Sequence, residues 1–165
     1  MKLDLEALRI RHALLPLEHA SDLGLHAAVA LARWHTPGVE MKATVMLDHH
    51  SPVLSWSVRS ADEAAQLDVN RVTELGAEAI ALSLVHATRG WVVRRRLQRA
   101  EFADWLLADA NGGHVALEVS GTDDGDARGR MREKLQQVSG CVAAPLRVAC
   151  VVRFVDPVAS VEQSP

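Results

Sequence analysis

The sequence predicts an α/β fold in which a helix and a β-hairpin precede a core of the order helix, three strands, helix, strand. Three observations predict this class. Apolar residues recur with helical spacing in long segments, and shorter segments alternate or run continuously apolar, as strands do. Turns rich in glycine, proline or asparagine separate the two kinds of segment. A chain of 165 residues is long enough for a domain with a substantial core.

The first 62 residues are predicted to form an N-terminal extension of this core. Ser21 can cap a helix over residues 22–34, and the TPG sequence that follows ends this helix. Two strands joined by the loop DHHSP come next, over residues 39–47 and 53–59. We therefore expect the extension, residues 1–62, to consist of one helix and one β-hairpin.

Residues 63–156 are predicted to form the core of the domain. The predicted elements are, in chain order, a helix over 69–87, strands over 91–97, 102–109 and 114–120, a helix over 127–138 and a strand over 146–155. The NGG sequence between the second and third of these strands is typical of a hairpin turn. The last residues, 157–165, are polar and end in proline, and we expect them to be a disordered tail.

The composition argues against several classes of protein. The formal net charge is −3, so a contact with nucleic acid needs a local basic patch. No apolar run reaches the length of a membrane span, and the charged N-terminal segment lacks the apolar stretch of a signal peptide. We therefore expect a cytoplasmic protein that does not contact the membrane, with Cys141 and Cys150 as reduced thiols.

Three acidic residues stand at unusual positions in the predicted elements. Glu118 and Asp104 each interrupt an apolar strand, and Glu78 lies in the apolar stretch GAEAIAL of a helix. If the loop between the strands has an odd number of residues, Asp104 and Glu118 become neighbours on one face. Neighbouring carboxylates repel unless a cation joins them, and hard oxygen ligands suit Mg²⁺ or Mn²⁺. Neutralisation of the two strand acids by the run Arg94–Arg96 is the alternative.

The order of these elements and acids resembles the common core of the restriction-endonuclease-like nucleases, the PD-(D/E)xK superfamily. The run LGAEAIALSLVHATRGWVVRRRLQRAEFADWLLADANGGHVALEVSG looks like the small Holliday-junction resolvases and their bacterial relatives. The resemblance covers about residues 70–155. It implies a restriction-endonuclease-like αβββαβ core with a mixed sheet, and metal-dependent hydrolysis of phosphodiester bonds in nucleic acid. It also implies that Asp104 and Glu118 bind Mg²⁺ or Mn²⁺, with Glu78 as a further acid acting directly or through a water.

One position departs from the pattern of this superfamily. The lysine that should stand two residues after Glu118 is replaced by Ser120. The resemblance implies that this lysine positions or polarises the attacking water, and Lys134, the only lysine after position 42, is the candidate to replace it. Gln137, or its neighbour Gln136, is a candidate for a supporting role.

The missing strand lysine also supports an alternative of another class. The chain can keep the nuclease fold without its activity and act as a binding, structural or assembly module in a complex. The negative net charge and the N-terminal extension favour this alternative. Nucleic acid, a second copy of the chain and a larger protein complex are therefore all candidate partners.

Overall fold

The computed structural model describes all 165 residues as a mixed α/β fold with five α-helices and nine strands. The helices are α1 (Leu8–Arg11), α2 (Leu17–Ala32), α3 (Ala61–Ala65), α4 (Val69–Arg89) and α5 (Ala127–Ser139). The strands are β1 (Lys2–Asp4), β2 (Lys42–Val45), β3 (Asp48–His50), β4 (Val53–Ser55), β5 (Val92–Arg96), β6 (Trp105–Ala108), β7 (His114–Thr122), β8 (Leu146–Arg153) and β9 (Val158–Gln163). None of the helices has both the length and the apolar composition needed to cross a membrane.

Seven of the strands form one mixed sheet in the order β3-β2-β9-β8-β7-β6-β5, and β1 pairs with β4 in a separate ribbon. β5, β6 and β7 are successive antiparallel neighbours. β8 lies parallel to β7, because α5 carries the chain back between them. β9 then returns antiparallel beside β8 and pairs in parallel with β2.

Helices cover both faces of the middle of the sheet. α2 packs on α4, and α4 lies against β7 and β8. α5 lies against the same two strands from the opposite face. The side chains of β8 show this alternation: Val148 and Cys150 join the cluster that includes α4, whereas Ala149 and Val151 pack with Met131 of α5. Coverage of both faces explains why the sequence of β8 is almost continuously apolar.

The first 62 residues share the main hydrophobic core with the rest of the chain. One cluster of 37 buried residues includes Leu23 and Leu31 of α2, Ile80 and Leu84 of α4, and Leu117 of β7. Burial of apolar surface is the dominant favourable contribution to folding. Because β2 and β3 also extend the main sheet, the segment predicted as an extension is built into the domain.

α4, the helix that carries Glu78, follows closely from its sequence. The Asp68 side chain caps its N-terminus by accepting a hydrogen bond from a backbone N–H of the first turn, and Gly90, with a φ of 69°, ends it. Gly76 allows α2 to approach closely, since a Cβ atom there would come within 3.2 Å of the Ala27 Cα. The helix predicted over 69–87 is confirmed.

The remaining core elements also match the predicted ones, with small shifts of their ends. β5, β6, β7, α5 and β8 correspond to the segments predicted over 91–97, 102–109, 114–120, 127–138 and 146–155. The shift that matters most concerns β6, which begins at Trp105 and leaves Asp104 just outside the strand. The predicted hairpin turn between β6 and β7 is present, and Asp109 Oδ1 accepts hydrogen bonds from the Asn111 and Gly113 backbone within it.

The predicted start of the N-terminal helix is wrong. α2 begins at Leu17 with Pro16 before it, so Ser21 lies inside the helix and does not cap it. Proline has a φ compatible with the helix and no N–H group that needs a partner there, which lets the helix start directly after it.

The predicted hairpin, with strands over 39–47 and 53–59 joined by the loop DHHSP, is also wrong in part. Its second strand is only β4, which pairs in parallel with β1 instead of with β2. Asp48–His50 forms β3 and pairs antiparallel with β2. The turn between the two strands is formed by Met46 and Leu47, whose φ values of 50° and 84° are positive. Tight hairpin turns require this conformation but usually signal it by glycine or asparagine, which are missing here.

The disordered tail predicted over 157–165 is wrong for most of its length. Val158–Gln163 forms β9, which lies between β8 and β2 inside the sheet. Its alternate residues Ala159 and Val161 are fully buried in the main core. A short strand of mixed polarity depends on its neighbours on both sides, and the tail sequence alone does not reveal them.

Candidate functional site

The register of β6 against β7 places Asp104 beside Glu118. The two strands are antiparallel with Trp105 opposite Leu117, so the residue before Trp105 is level with the residue after Leu117. The Asp104 backbone N–H donates to the Leu117 carbonyl at 3.0 Å. The Asp104 Oδ2 accepts a hydrogen bond from the Val119 N–H at 2.8 Å. The Asp104 side chain thereby occupies the place where the next strand hydrogen bond would form.

Beyond this point one edge of β7 is open. β7 continues to Thr122 after its pairing with β6 has ended, and α4 and α5 lie on opposite faces of this strand. A cavity of about 170 Å³ lies at the open edge. The residues that line it are Glu74, Glu78, Arg96, Asp104, Glu118, Val119, Ser120 and Lys134. The structure thus brings five of the predicted site residues into one cleft, and the sixth, Gln137, contacts Lys134.

Glu118 is almost completely buried, with 2% of its surface exposed. Its Oε1 accepts a hydrogen bond from Lys134 Nζ at 2.6 Å, whereas its Oε2 is buried without a hydrogen-bond partner. Burial, and then the negative charge of Asp104, raise the pKa of Glu118 to about 7 against the opposing effect of Lys134. The free, buried oxygen is therefore available to a cation or to a hydrogen-bond donor.

Lys134 reaches the cleft from α5. The Asp126 side chain caps this helix by accepting hydrogen bonds from two backbone N–H groups of its first turn. Besides its contact with Glu118, Lys134 Nζ donates to Gln137 Oε1 at 3.1 Å. An ammonium group has three donors, so one remains for a further ligand.

Glu78 lies in the interior of α4, and both of its carboxylate oxygens are engaged. Arg96 of β5 donates to them at 2.7 and 2.9 Å, and Trp105 Nε1 donates to Oε2 at 3.0 Å. Burial raises the pKa of Glu78, although the hydrogen bonds from Arg96 oppose this effect. A metal ion bound directly to Glu78 would have to displace a charged guanidinium. The geometry therefore favours a supporting role for Glu78 over that of a direct ligand.

Arg96 also joins this part of the cleft to α2. Its guanidinium carbon lies 4.9 Å from the centre of the Trp105 ring, within the range of a cation–π contact. On α2, His19 Nε2 is 3.3 Å from Arg96 Nη1, and the His19 ring lies 5.4 Å from the Trp105 ring. Trp105, which follows Asp104 in the chain, is thus contacted by residues of α4, β5 and α2.

The run Arg94–Arg96 does not form ion pairs with the two strand acids. Arg95 pairs with Glu101 at 2.7 Å, and Arg96 pairs with Glu78. Of the two strand acids only Glu118 forms an ion pair, and its partner is Lys134. Direct neutralisation of both strand acids by this run, the alternative left open by the sequence, is not observed.

Ser120 also faces α5 and is 7% exposed. Its Oγ accepts a hydrogen bond from Arg130 Nη1 at 3.3 Å. The serine at position 120 is therefore contacted by an arginine of α5.

The donor set fits a divalent cation held by two carboxylates. Asp104 and Glu118 lie side by side, close enough for Asp104 to raise the pKa of Glu118, and no hydrogen-bond donor of the protein reaches the buried Glu118 Oε2. No group of three or more His, Cys, Asp and Glu side chains is arranged to hold a metal ion. Mg²⁺ is commonly bound through one or two carboxylates, with water and substrate phosphate as its other ligands. Two adjacent carboxylates at an open sheet edge allow this kind of binding.

Two residues of the cleft region, Trp105 and Arg130, were not predicted, and Arg96 was predicted only as part of the run that would neutralise the strand acids. Each of them contacts a residue of another element: Arg96 and Trp105 contact Glu78 of α4, and Arg130 contacts Ser120 of the preceding strand β7. The available signals were weak. Arg130 stands four residues before Lys134 and so shares a face of α5 with it, and Arg96 is the last residue of an arginine run. Trp105 has the pattern of an ordinary core residue.

Comparison of the chain with protein-family models, curated proteins and solved structures found no match. The interpretation of the cleft therefore depends on its own geometry and chemistry.

Proposed function

We propose that this protein is a divalent-metal-dependent nuclease that hydrolyses phosphodiester bonds in nucleic acid, with Asp104 and Glu118 holding Mg²⁺ or Mn²⁺. One observation carries the proposal. Two strand carboxylates meet at an open sheet edge, one of them is deeply buried with a free oxygen, and Lys134 contacts it at 2.6 Å. A structural ion pair has no need of the second carboxylate, which raises the pKa of Glu118 further. Strongly shifted carboxylates in a cleft are typical of functional sites.

The order of elements around the cleft supports a restriction-endonuclease-like core. The chain passes from α4, which carries Glu78, through β5, β6 and β7 to α5 and β8. This is the order that the resemblance implies, with Asp104 directly before the second strand and Glu118 in the third. We propose that residues 63–156 form such a core and that β2, β3 and β9 enlarge its sheet.

A divalent cation held by Asp104 and Glu118 would supply a Lewis acid for activating water and for offsetting the charge that develops on the phosphate. The Val119 N–H holds the Asp104 carboxylate, and Lys134 Nζ holds the Glu118 carboxylate. The third donor of the Lys134 ammonium is free to orient a water or a phosphate oxygen. In this way Lys134 takes the task that the resemblance assigns to a lysine at position 120.

Glu78 supports the site through contacts behind the two ligands. The hydrogen bond from Trp105 Nε1 anchors the start of β6 to α4, directly after Asp104. The bidentate pair with Arg96 anchors the end of β5 to the same carboxylate. We therefore assign Glu78 and Arg96 to the positioning of Asp104.

Binding of Mn²⁺ and Mg²⁺, measured by isothermal titration calorimetry, tests the proposal without a choice of substrate. The wild-type protein should bind Mn²⁺, and Asp104→Asn, which keeps the size of the side chain, should lose this binding. Asp156→Asn is the matched control, because it removes an exposed carboxylate that pairs with Arg153 on the protein surface. The control should bind Mn²⁺ as the wild type does.

Cleavage assays then test the reaction itself, with linear and branched DNA and RNA as substrates. Wild type and Asp156→Asn should cut at least one substrate in Mn²⁺ or Mg²⁺. Asp104→Asn and Glu118→Gln should not. Cleavage that persists in either of these two variants would rule out the assignment of the ligands.

A second candidate is a binding or assembly module that has the nuclease fold without its activity. One observation favours it: two of the three acids already have an internal cation, Glu78 with Arg96 and Glu118 with Lys134. This candidate predicts no Mn²⁺ binding and no cleavage by the wild type. It predicts instead a stable homodimer or a larger complex, which light scattering measures.

A further inference from the structure

α5 places two cations in register along the open edge of β7. Arg130 and Lys134 are four residues apart on α5, and both lie over β7. The strand residues that they contact, Ser120 and Glu118, are two residues apart. Four residues of an α-helix rise about 6 Å and two residues of a strand about 6.6 Å. The two spacings match, so each cation lies over its own strand residue.

The positive charge of Arg130 has no acidic partner. The other two cations of the cleft, Lys134 and Arg96, each pair with a buried glutamate. The side chain of Arg130 forms no ion pair, and its one hydrogen bond goes to the neutral Oγ of Ser120. Arg130 is an exposed residue whose guanidinium is held at one point, so its remaining N–H groups are free to bind an anion.

Ser120 orients this arginine and leaves most of its hydrogen-bonding capacity free. A guanidinium group has five N–H donors in a planar fork, and Ser120 accepts from one of them. Because Ser120 is buried, the point at which it holds the guanidinium is set by the packing of α5 on β7. A fork of this geometry binds two phosphate oxygens at once, which an ammonium does not.

We propose that Arg130 binds a phosphate of the nucleic-acid substrate beside the two carboxylates, and that Ser120 positions it. This inference rests on the proposed function and names a substrate-binding residue for the same cleft. It also explains the departure at position 120, where a serine anchors a phosphate-binding arginine instead of a lysine contacting water. Lys134 then orients the water beside Glu118, and Arg130, one turn earlier on α5, binds the phosphate.

Fluorescence anisotropy of a short labelled DNA duplex measures this contact apart from cleavage, with Ca²⁺ in place of Mg²⁺ and again in EDTA. Arg130→Gln should weaken binding about tenfold or more, because it removes a charge-assisted contact. The slope of log affinity against log salt concentration should decrease by about 0.9, the value for one phosphate contact on B-form DNA. Arg130→Lys keeps the charge without the fork and should restore part of the affinity.

Two further variants separate a specific contact from a general effect of charge. Arg132→Gln is the matched control, since Arg132 is exposed on the same helix but lines a different groove, together with Glu162. It should leave the affinity for DNA close to that of the wild type. Ser120→Ala should weaken binding less than Arg130→Gln does. In the double variant, Ser120→Ala should cause no loss of DNA affinity beyond that of Arg130→Gln alone, because Ser120 acts through Arg130.

Wild-type affinity in Arg130→Gln would overturn the proposal. An equal loss of DNA affinity in Arg130→Gln and Arg132→Gln would also overturn it, since Arg130 would then contribute only to the overall positive charge of the surface. Calorimetry keeps this result separate from the proposed function, because Arg130→Gln should bind Mn²⁺ as the wild type does. If the wild type binds no Mn²⁺ while Arg130→Gln still weakens DNA binding, the metal site fails and the phosphate site stands.

Discussion

Glu118 combines an ionisable group with almost complete burial, which makes its ionisation unfavourable to folding. Burial and the neighbouring Asp104 raise the pKa of Glu118 to about 7, and Lys134 offsets only part of this effect. A divalent cation would reverse the balance, because it attracts the ionised form. Ligand-binding sites commonly contain buried ionisable groups with shifted pKa values. Binding of the ligand then stabilises the folded protein.

Glu118→Gln should therefore stabilise the metal-free protein at alkaline pH. The pKa of Glu118 in the folded state lies above the ordinary 4.5, so between these values the folded protein binds more protons than the unfolded chain. The free energy of unfolding consequently falls as the pH rises through 7, and glutamine avoids this fall. We expect a gain of up to about 3 kcal/mol at pH 8, and little gain near pH 4.5, from urea denaturation in EDTA. Glu133→Gln, exposed on α5, is the control, and a loss of stability at pH 8 in Glu118→Gln would contradict the burial argument.

Lys134 and position 120 should be interchangeable if the lysine of the site lies on the helix instead of the strand. Lys134→Gln should lower kcat about a hundredfold, the usual cost of removing one positioned hydrogen-bond donor from the reacting groups, with little change in DNA affinity. Ser120→Lys in that background places an ammonium on the same strand face as Glu118 and should restore part of the activity. Single-turnover cleavage in Mn²⁺ measures both effects. Unchanged kcat in Lys134→Gln would leave Lys134 as a structural partner of Glu118.

At the scale of elements, those with a local apolar pattern were predictable and those that depend on partners were not. α4, α5, β7 and β8 have helical or strand periodicity along their own length, and the sequence predicts each of them. β3 and β9 are short and of mixed polarity, and their strand conformation comes from pairing with β2 and β8. The register of such pairs is a long-range property that no local pattern records.

The candidate site shows the same division. Asp104 and Glu118 stand out because carboxylates interrupt apolar strands, and a hairpin register is enough to bring them together. Lys134 was predictable as the one lysine available near the site. The contacts of Arg96 and Arg130 depend on how β5 and α5 pack across the sheet, so they became visible only in the fold.

The β2–β3 hairpin offers a test of element-level strain. Leu47 has a φ of 84° and is 90% exposed, so it accepts a left-handed conformation without contributing burial. A left-handed residue with a side chain is disfavoured by about 1–2 kcal/mol, and glycine is not. Leu47→Gly should therefore raise the free energy of unfolding by about 1 kcal/mol in urea denaturation. Val142→Gly, 95% exposed at a position without positive φ, is the control and should not be stabilised.

At the scale of the whole molecule, β9 joins the first 62 residues to the candidate site. It lies between β8, which neighbours the strand of Glu118, and β2, which belongs to the N-terminal region. The main core includes residues from both regions in one cluster. A shared sheet and a shared core predict one cooperative unfolding transition, in which the N-terminal region and the cleft lose structure together.

Val161→Asn should test this cooperativity. Val161 is fully buried in β9 and pairs with Val45 of β2 on one side and Cys150 of β8 on the other. A buried asparagine loses apolar contacts and leaves amide groups without partners, which together should cost about 3 kcal/mol. Hydrogen exchange should then accelerate equally in β2 and β8, because both exchange through the same global opening. Glu162→Asn, at the exposed neighbouring position, should leave the exchange rates of β2 and β8 unchanged. Faster exchange confined to β2 and β3 would show that the N-terminal region opens on its own, and that the cleft does not depend on it for its stability.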